Sequence, residues 1–336
     1  SRQSGPPTHH YLQFFENAVL QGQAAYRACM TLRRAGFIPD LIYAHAGFGP
    51  GLYIKEAFLD SPLIGHFEWY YSPHGSDADY LGDFTVTPDE ALRVRTRNAE
   101  LLLELAQCDR GLSPTRFQRD QFPTEFHDKI AVIHEGIDSR HFRPASAAVM
   151  IPGLNLPSDA EIVTYATRGL EPYRGFPQFM AAIASLQPSR QRMHAVIVGA
   201  DAVFYGAPRD DGLTWKEATL RSLPQLDTTR VHFLGRVDAE THLRVLQASH
   251  AHVYLTVPFV LSWSLMESMA AGCPLVGSDT APVREVIRDG ETGLLADMRK
   301  PAEIADRIAW FLDHAADARA IGRRARIDAT ARYGLD

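Results

Sequence analysis

The sequence is poor in cysteine and has no long apolar run. Its 336 residues include three cysteines, Cys29, Cys108 and Cys273, whose wide spacing matches neither a disulfide framework nor a CxxC metal motif. No apolar run approaches the ~20 residues that cross a bilayer, and no segment resembles a signal peptide. These absences predict a cytoplasmic protein in a reducing compartment.

The sequence also lacks a surplus of positive charge. Its formal net charge is −6 and its pI is about 6.2, which argues against electrostatic attachment to nucleic acid or to an anionic membrane. No strand-like run is followed by GxGxxG, which disfavours a nicotinamide oxidoreductase. His74, Asp77 and Asp79 follow no ligand spacing known for a helix or a tight loop. We therefore expect no metal, no cofactor and no nucleic-acid partner.

What the sequence does contain is an alternation of strand-like and helix-like segments. Hydrophobic residues make up 46% of the chain, enough for the cores of two domains. Strands rich in Val, Ile and Leu between amphipathic segments predict parallel sheets with helices on both faces, which is an α/β fold with two Rossmann-like domains. The Pro-, Gly- and Ser-containing stretch 142–160 predicts a linker between domains at 1–145 and 155–336.

The individual elements follow from local patterns. Thr87 is a predicted N-cap of one helix over 88–108, and strands are expected near 39–45, 62–71, 129–136 and 161–169. The chain starts without Met and ends without a helix cap, so we expect trimmed ends and a first domain incomplete at its start. The amphipathic segment 11–36 is expected to pack as a core helix, the alternative being a peripheral contact with a membrane.

Two arginines lie at the end of a predicted strand, where ligands of open parallel sheets bind. Arg168 closes the strand 161–169, and Arg174 precedes the helix that starts after Phe176. Two guanidinium groups beside a helix start suit a diphosphate, because Arg binds phosphate oxygens in a fork and helix N-termini favour anions. The alternative is a pair of solvated surface arginines.

A carboxylate, Glu267, stands in the apolar helix of FVLSWSLMESMAAGCP (259–274). Ser264 and Glu267 have capping-box spacing, in which each side chain accepts a backbone N–H. The amides at the helix start, Ser262 to Leu265, are expected to point toward the same anion as the arginines. We expect Glu267 both to cap its helix and to hold a ligand.

In this order the motifs resemble glycosyltransferase family 4. The resemblance rests on Arg168, Arg174-Gly175, HEGID at 134–138, GRV at 235–237 and the stretch 264–295, and it extends over residues 111–297. It implies the GT-B architecture, two Rossmann-like domains facing across a cleft. It also implies retaining, metal-independent transfer from a nucleotide-diphosphate sugar to a hydroxyl of a glycan, a lipid-linked or a small-molecule acceptor.

The resemblance assigns roles to residues. Arg168 and Arg174 would contact the donor diphosphate, and Glu267 the ribose hydroxyls. The donor site implied is Glu267, Ser262, Trp263, Ser264, Leu265, Gly199, Arg236, Val237, Thr280, Ala281, Pro282 and Val283. Phe259 stands where the family motif has its first Glu, so either the hexose is held differently, which we favour, or the enzyme is degenerate.

The first domain would present the acceptor and complete the catalytic surface. His45 closes one strand, and either Glu68 or His66 occupies the position of the family His that faces the reacting sugar. Glu68 in an aromatic setting suits acid–base chemistry or a plain salt bridge. We assign catalysis to Arg168, Arg174, Glu68 and His45. The rival functions are a GT-B-type nucleotide-sugar epimerase and a non-catalytic nucleotide-sugar-binding protein.

Overall fold

The computed structural model describes residues 8–82, 86–146 and 148–335. They divide into two compact units, the first running to Glu135 and including Pro258–Val260, the second covering the rest. The division thus falls at Glu135, and the stretch 142–160 lies inside the second unit. Within the described ranges, each unit contains one parallel sheet, which confirms the predicted α/β class with two Rossmann-like halves.

The first unit is built on a parallel sheet of order β1-β2-β3-β4. His45 and His66 are paired in register at the carboxyl ends of neighbouring strands, so their side chains reach the same edge of the sheet. The elements are α1 Gln13–Arg34, β1 Ile42–His45, α2 Ile54–Ala57, β2 Leu63–His66, α3 Pro88–Arg97, α4 Ala99–Gln107, β3 Arg110–Ser113, α5 Arg116–Arg119, a 3-10 helix Thr124–Lys129 and β4 Ile130–Val132.

The helix predicted over 88–108 is two helices, separated at Asn98. Thr87 is the N-cap, as predicted, and it forms a capping box with Glu90. The break follows from a contact that local sequence does not reveal: the buried Asn98 amide accepts a hydrogen bond from the Tyr71 N–H at 2.9 Å and donates one to the Tyr71 carbonyl at 2.8 Å. The side chain therefore fixes the loop after β2 to the junction of α3 and α4.

Replacing Asn98 with alanine is expected to lower the free energy of unfolding by about 2 kcal/mol, because the N–H and the carbonyl of the partly buried Tyr71 lose their hydrogen-bond partner. Asn98→Asp keeps the acceptor but places a carboxylate oxygen against the Tyr71 carbonyl at a buried position, so it should be at least as destabilising as alanine at neutral pH. Urea denaturation measures both. Equal stability of Asn98→Ala and wild type would show that water replaces the amide without cost.

The second unit has six strands within its described part, in the order β10-β9-β8-β5-β6-β7. The chain proceeds from β5 to β6 and β7 and then returns to the other side of β5, which creates a switch point between β5 and β8. The elements are β5 Glu161–Gly169, a 3-10 helix Pro172–Arg174, α6 Phe176–Leu186, β6 Met193–Ala200, α7 Trp215–Ser222, a 3-10 helix Thr228–Arg230, β7 Val231–Gly235, α8 Ala239–Gln247, β8 Ala251–Tyr254, α9 Trp263–Ala270, β9 Leu275–Ser278, α10 Ala281–Val286, β10 Leu294–Ala296, α11 Pro301–Asp313 and α12 Ala315–Tyr333.

Aromatic packing fixes the end of β5. The fully buried Tyr165 stacks on Phe179 with ring centres 4.8 Å apart, and its hydroxyl donates to the Arg174 carbonyl at 2.7 Å. Gly175, at φ +72°, starts α6 where a Cβ would lie 2.6 Å from the Leu255 side chain. These contacts hold the turn between β5 and α6 close to β8.

The start and the end of the second unit are hydrogen-bonded to each other. The Ile137 N–H donates to the Tyr333 carbonyl at 2.7 Å, and the Leu335 N–H donates to the Ile137 carbonyl at 3.1 Å. The Arg326 guanidinium also donates to the carbonyls of Phe142 and Ser139. Among the described residues, no helix has the length and apolar content that a membrane crossing requires.

Candidate functional site

A pocket of about 250 Å³ opens in the second unit at the carboxyl ends of β5, β6 and β7. It lies beside the β5–β8 switch point, the position expected for a ligand of an open parallel sheet. We call it the β5 pocket. Its lining residues are Phe142, Ala166, Thr167, Arg168, Val198, Val237, Asp238, Ala239, His242, Ser262, Ser264 and Glu267.

Glu267 lies on the wall of the β5 pocket, but it does not form the predicted capping box. The N-cap of α9 is Ser262, whose hydroxyl accepts from the Ser264 N–H at 3.3 Å. The Glu267 carboxylate instead lies 3.1 Å from His242 Nε2, with 19% of the Glu267 side chain and 15% of the His242 side chain exposed. Because His242 needs only one carboxylate oxygen, the second remains for hydrogen bonds from a ligand.

The start of α9 contributes only part of the predicted set. Ser262 and Ser264 line the β5 pocket, with their hydroxyls 2.8 Å apart, and Trp263 is 61% exposed. Leu265 is fully buried in the core, and its N–H donates to the Ser262 carbonyl at 3.0 Å. Leu265 therefore offers neither its side chain nor its amide hydrogen to a ligand, contrary to its predicted role.

Arg168 is exposed at the end of β5 and lines the β5 pocket. Its guanidinium carbon lies 4.5 Å from the centre of the Phe204 ring. The five N–H donors of a guanidinium lie in its own plane. When the guanidinium stacks on a ring, these donors point sideways, where an anion can accept them. Arg168 and Glu267 thus place opposite charges on the wall of one pocket.

Arg174 is 4% exposed and is absent from the lining of the β5 pocket. It donates to Thr256 Oγ1 at 2.8 Å and to the Tyr254 hydroxyl at 3.4 Å. The same Tyr254 hydroxyl accepts the Ser262 N–H at 2.8 Å. The prediction that Arg174 shares one hollow with Arg168 and Glu267 is therefore not met; Arg174 contacts the pocket through Tyr254 and the N-cap of α9.

The segments after β6 and β7 contribute apolar lining. Val198 and Val237 contact the pocket, whereas Gly199 and the exposed Arg236 do not line it. A Cβ at Gly199 would lie 2.8 Å from the Thr167 carbonyl oxygen. Glycine at 199 therefore allows β6 to approach the end of β5, and the ligand contact of Gly199 stays a prediction.

The loop at 280–283 is the N-terminus of α10. Thr280 and Pro282 are buried, Val283 belongs to the hydrophobic core, and Ala281 is exposed. The four residues are outside the lining of the β5 pocket. The lining of the β5 pocket therefore does not support the prediction that these four residues lie near the nucleotide-sugar donor.

In the first unit, charged and aromatic side chains gather at the carboxyl ends of β1 and β2. His45 Nε2 lies 3.5 Å from one Glu68 carboxylate oxygen, and His66 Nε2 lies 3.9 Å from the other and 3.4 Å from Glu135. The Tyr43 hydroxyl is 2.6 Å from His66 Nδ1. We call Tyr43, His45, His66, Glu68 and Glu135 the His45 cluster. Both histidines lie within ion-pair distance of Glu68. The structure therefore brings both candidates for the position of the family His, His66 and Glu68, into one cluster.

The ion pairs of the His45 cluster shift proton affinities. The hydrogen bond to Glu68 raises the pKa of His45, although partial burial opposes this. Burial acts to raise the pKa of Glu135, but the hydrogen bond to His66, together with a backbone hydrogen bond and the charges of His134 and His66, lowers it overall. The cluster therefore favours a protonated His45 and an ionised Glu135.

We expect Glu68→Gln to remove a stabilisation that depends on pH. The folded pKa of His45 is raised above its unfolded value of about 6.5, so the stabilisation is complete below about pH 6.5 and is lost as the pH rises through the raised value. The difference in unfolding free energy between wild type and Glu68→Gln should be larger at about pH 6 than at about pH 9. Urea denaturation measures it, with His45→Gln and the double variant as controls. A pH-independent difference would contradict the ion pair.

The His45 cluster also has the composition of a metal site. Ligand atoms of His45, His66 and Glu68 lie within 4.8 Å of one another. The other nitrogen of His45 contacts the Ala46 carbonyl at 3.1 Å, as in histidines held for metal ligation. At His74, by contrast, the Asp79 carboxylate accepts N–H groups of Gly75 and Ser76 and thus closes a loop.

Phe259 belongs to the first unit, not to the β5 pocket. Its ring packs edge-on against Trp69, with centres 4.8 Å apart and planes at 67°. Trp69 is buried and directly follows Glu68. The residue at the position of the family's first Glu therefore packs an aromatic side chain next to the His45 cluster.

Several residues around these sites were missed from the sequence. His242 pairs with Glu267 across 25 residues, so no local pattern reveals it. Glu135 lies in HEGID, and its contact with His66 likewise joins residues that are distant in the chain. Glu104 accepts the Gly47 N–H at 2.8 Å, and burial raises the pKa of Glu104 to about 7. A carboxylate on the apolar face of α4 was the available signal for Glu104.

Comparisons with known proteins agree on one family. Residues 149–328 match the family described as glycosyl transferases group 1, and residues 1–142 match the glycosyl transferase family 4 group. A D-inositol 3-phosphate glycosyltransferase of Streptomyces scabiei is 27% identical over 234 residues, which cover 68% of this chain and 50% of the relative. Its counterpart in a Nocardioides species is 29% identical over 252 residues, covering 71% and 52%. The chain thus spans about half the length of the curated relatives it matches.

Solved structures share the fold. Sucrose-phosphate synthase of Thermosynechococcus elongatus has a TM-score of 0.71 and 21% identity, over 99% of this chain and 78% of that one. Anabaena Alr3699/HepE in complex with UDP-glucose has a TM-score of 0.67 and 19% identity, over 93% and 79%. The fold is that of the GT-B glycosyltransferases. Because the match to residues 149–328 covers more than half of the chain, this protein belongs to the glycosyl transferases group 1 family.

Proposed function

We propose that this protein transfers a glycosyl group from a nucleotide-diphosphate sugar to a hydroxyl acceptor, with retention at the anomeric carbon and without a metal ion. The observation that carries the proposal is the β5 pocket, where Arg168, Glu267 and the N-cap of α9 line one space at the carboxyl ends of the strands. Family membership gives the reaction class.

The donor chemistry follows from the charges of the pocket. Arg168 would stabilise the negative charge that develops on the leaving diphosphate, and the start of α9 would add its dipole. The free carboxylate oxygen of Glu267 would accept hydrogen bonds from ribose hydroxyls. Arg174 would act from behind the pocket through Tyr254 and Ser262.

The first unit is proposed to bind the acceptor. The acceptor is a hydroxyl group of a glycan, of a lipid-linked molecule or of a small molecule. Glu68, held by His45 and His66, is the group for accepting a hydroxyl proton, and His45 would hold it in place. The aromatic pair Trp69 and Phe259 adds an apolar surface beside it, which suits the face of a sugar ring. We also propose a cytoplasmic location, which the unpaired state of the three cysteines fits.

The test is a thermal-shift panel followed by a turnover assay. A nucleoside diphosphate that binds the native state raises its apparent melting temperature by mass action. UDP comes first in the panel, because Alr3699/HepE was crystallised with UDP and with UDP-glucose; GDP and ADP follow. Binding of one diphosphate, with sugar transfer from the matching donor, supports the proposal. If the protein epimerises the donor when no acceptor is present, it is an epimerase. If it binds a nucleoside diphosphate but turns over no donor, it is a pseudoenzyme.

Metal independence has its own test. We expect glycosyl transfer to be unchanged by EDTA, because the charge of the leaving diphosphate is proposed to be met by Arg168 and the start of α9 rather than by a metal ion. Loss of transfer that Zn²⁺ or Mn²⁺ restores would contradict this expectation. In that case, loss of metal binding in His66→Gln would identify the His45 cluster as the metal site.

A further inference from the structure

Glu171 is a fully buried carboxylate between Arg168 and Arg174 in the chain. Its two oxygens accept backbone N–H groups of three consecutive residues: Phe204 at 3.0 Å, Tyr205 at 3.2 and 3.3 Å, and Gly206 at 2.7 Å. Successive amides that converge on one anion form a nest. Here the anion is supplied by the protein itself, so the hydrogen bonds fix the segment 204–206 to the turn after β5.

The segment held by Glu171 carries the rings that stack on both arginines. The Arg168 guanidinium carbon lies 4.5 Å from the Phe204 ring centre, and that of Arg174 lies 4.8 Å from the Tyr205 ring centre. Phe204 and Tyr205 are each 38% exposed, so packing covers them only in part. The backbone that Glu171 holds therefore contributes to the positions of both rings.

Close packing leaves the segment little room to move. A Cβ at Gly169 would lie 2.4 Å from the Ala202 carbonyl oxygen and 2.6 Å from the Phe204 ring. The Tyr205 ring also stacks on Tyr173, with ring centres 5.8 Å apart. A carboxylate, a glycine and two rings therefore join this segment to the turn that carries Arg168 and Arg174.

We propose that Glu171 is a positioning residue, which fixes the Phe204–Gly206 segment and, through the Phe204 ring, orients Arg168 for a pyrophosphate group. The inference rests on the proposed function for the identity of that group. Both Glu171 oxygens accept backbone N–H groups, so Glu171 acts on Arg168 through the Phe204 ring and does not contact the substrate. The charge of Arg168 then remains for the ligand.

The test uses Glu171→Gln, which keeps the volume of the side chain but presents an N–H₂ group to backbone donors. We expect hydrogen exchange of the amides at 204–206 to accelerate at least about tenfold, and the Kd for inorganic pyrophosphate to rise about tenfold. The matched control is Glu161→Gln, at the opposite end of β5, where the carboxylate pairs with Arg192 at 2.9 Å. It should leave both readouts unchanged.

A background variant separates positioning from a general structural role. In Phe204→Ala/Tyr205→Ala the rings are absent, so adding Glu171→Gln should weaken pyrophosphate binding less than about twofold. Three results would overturn the positioning role. The first is a tenfold effect of Glu171→Gln that persists in the Phe204→Ala/Tyr205→Ala background, and the second is unchanged hydrogen exchange of the amides at 204–206 in Glu171→Gln. The third is a wild-type protein that does not bind pyrophosphate. If pyrophosphate binds but no nucleoside diphosphate does, the proposed function fails and the positioning role stands.

Discussion

Arg168→Ala is expected to lower kcat for glycosyl transfer about 10²- to 10³-fold, the loss typical when one group that stabilises a developing negative charge is removed. Arg168 lines the β5 pocket, and its guanidinium carbon lies 4.5 Å from the centre of the Phe204 ring. Its side chain is exposed, so the folded state should lose little stability. The measurement is steady-state turnover with the donor identified by the thermal-shift panel.

Two further variants make the Arg168 result specific. Arg168→Lys keeps the charge but loses the planar fork and the stacking, so it should recover only part of kcat. Arg192→Ala removes a guanidinium that is 60% exposed and pairs with Glu161 at the start of β5, and it should leave kcat unchanged. A turnover rate of Arg168→Ala equal to that of wild type would remove this residue from the site.

Glu267→Gln is expected to weaken nucleoside diphosphate binding by about 1–3 kcal/mol, or roughly 5- to 150-fold in Kd, because hydrogen bonds to a charged acceptor are lost. The loss should appear with UDP as well as with the complete donor, since the carboxylate is proposed to hold the ribose. Isothermal titration calorimetry measures it.

His242→Gln distinguishes ligand binding from internal pairing. Glu267 and His242 form a partly buried pair 3.1 Å apart, so both variants should lower the free energy of unfolding. Glu267→Gln should raise the Kd for the nucleotide more than His242→Gln does, because only the carboxylate is proposed to accept the ribose hydroxyls. If the two variants lose the same stability and neither changes the affinity, Glu267 serves only to hold α8 against α9.

The fold was predictable because its pattern is local. The parallel sheets follow from the alternation of apolar strands with amphipathic helices, and the position of Arg168 follows from the end of one such strand. The capping box at Thr87 and Glu90 also depends on four consecutive residues. In each case the residues that decide the structure are neighbours in the chain.

The errors concern contacts between distant residues. Two serines near the start of α9 both have N-cap chemistry, and the Tyr254 hydroxyl on the Ser262 amide favours the earlier one. Burial of Arg174 depends on Tyr254 and Thr256, which lie at the end of β8 and just after it. The break at Asn98 depends on Tyr71. One residue of each pair can be recognised in the sequence, but the pairing cannot.

The bonds that join Ile137 to Tyr333 and Leu335 have a practical consequence for protein engineering. Because the beginning and the end of the second unit meet, grafting this unit into a chimaera with another glycosyltransferase places its two outer junctions side by side. Circular permutation with a short connector between those ends should be tolerated for the same reason. Pro258–Val260 packs with the first unit but connects Val257 to Leu261 in the chain, so these three residues must be part of the graft.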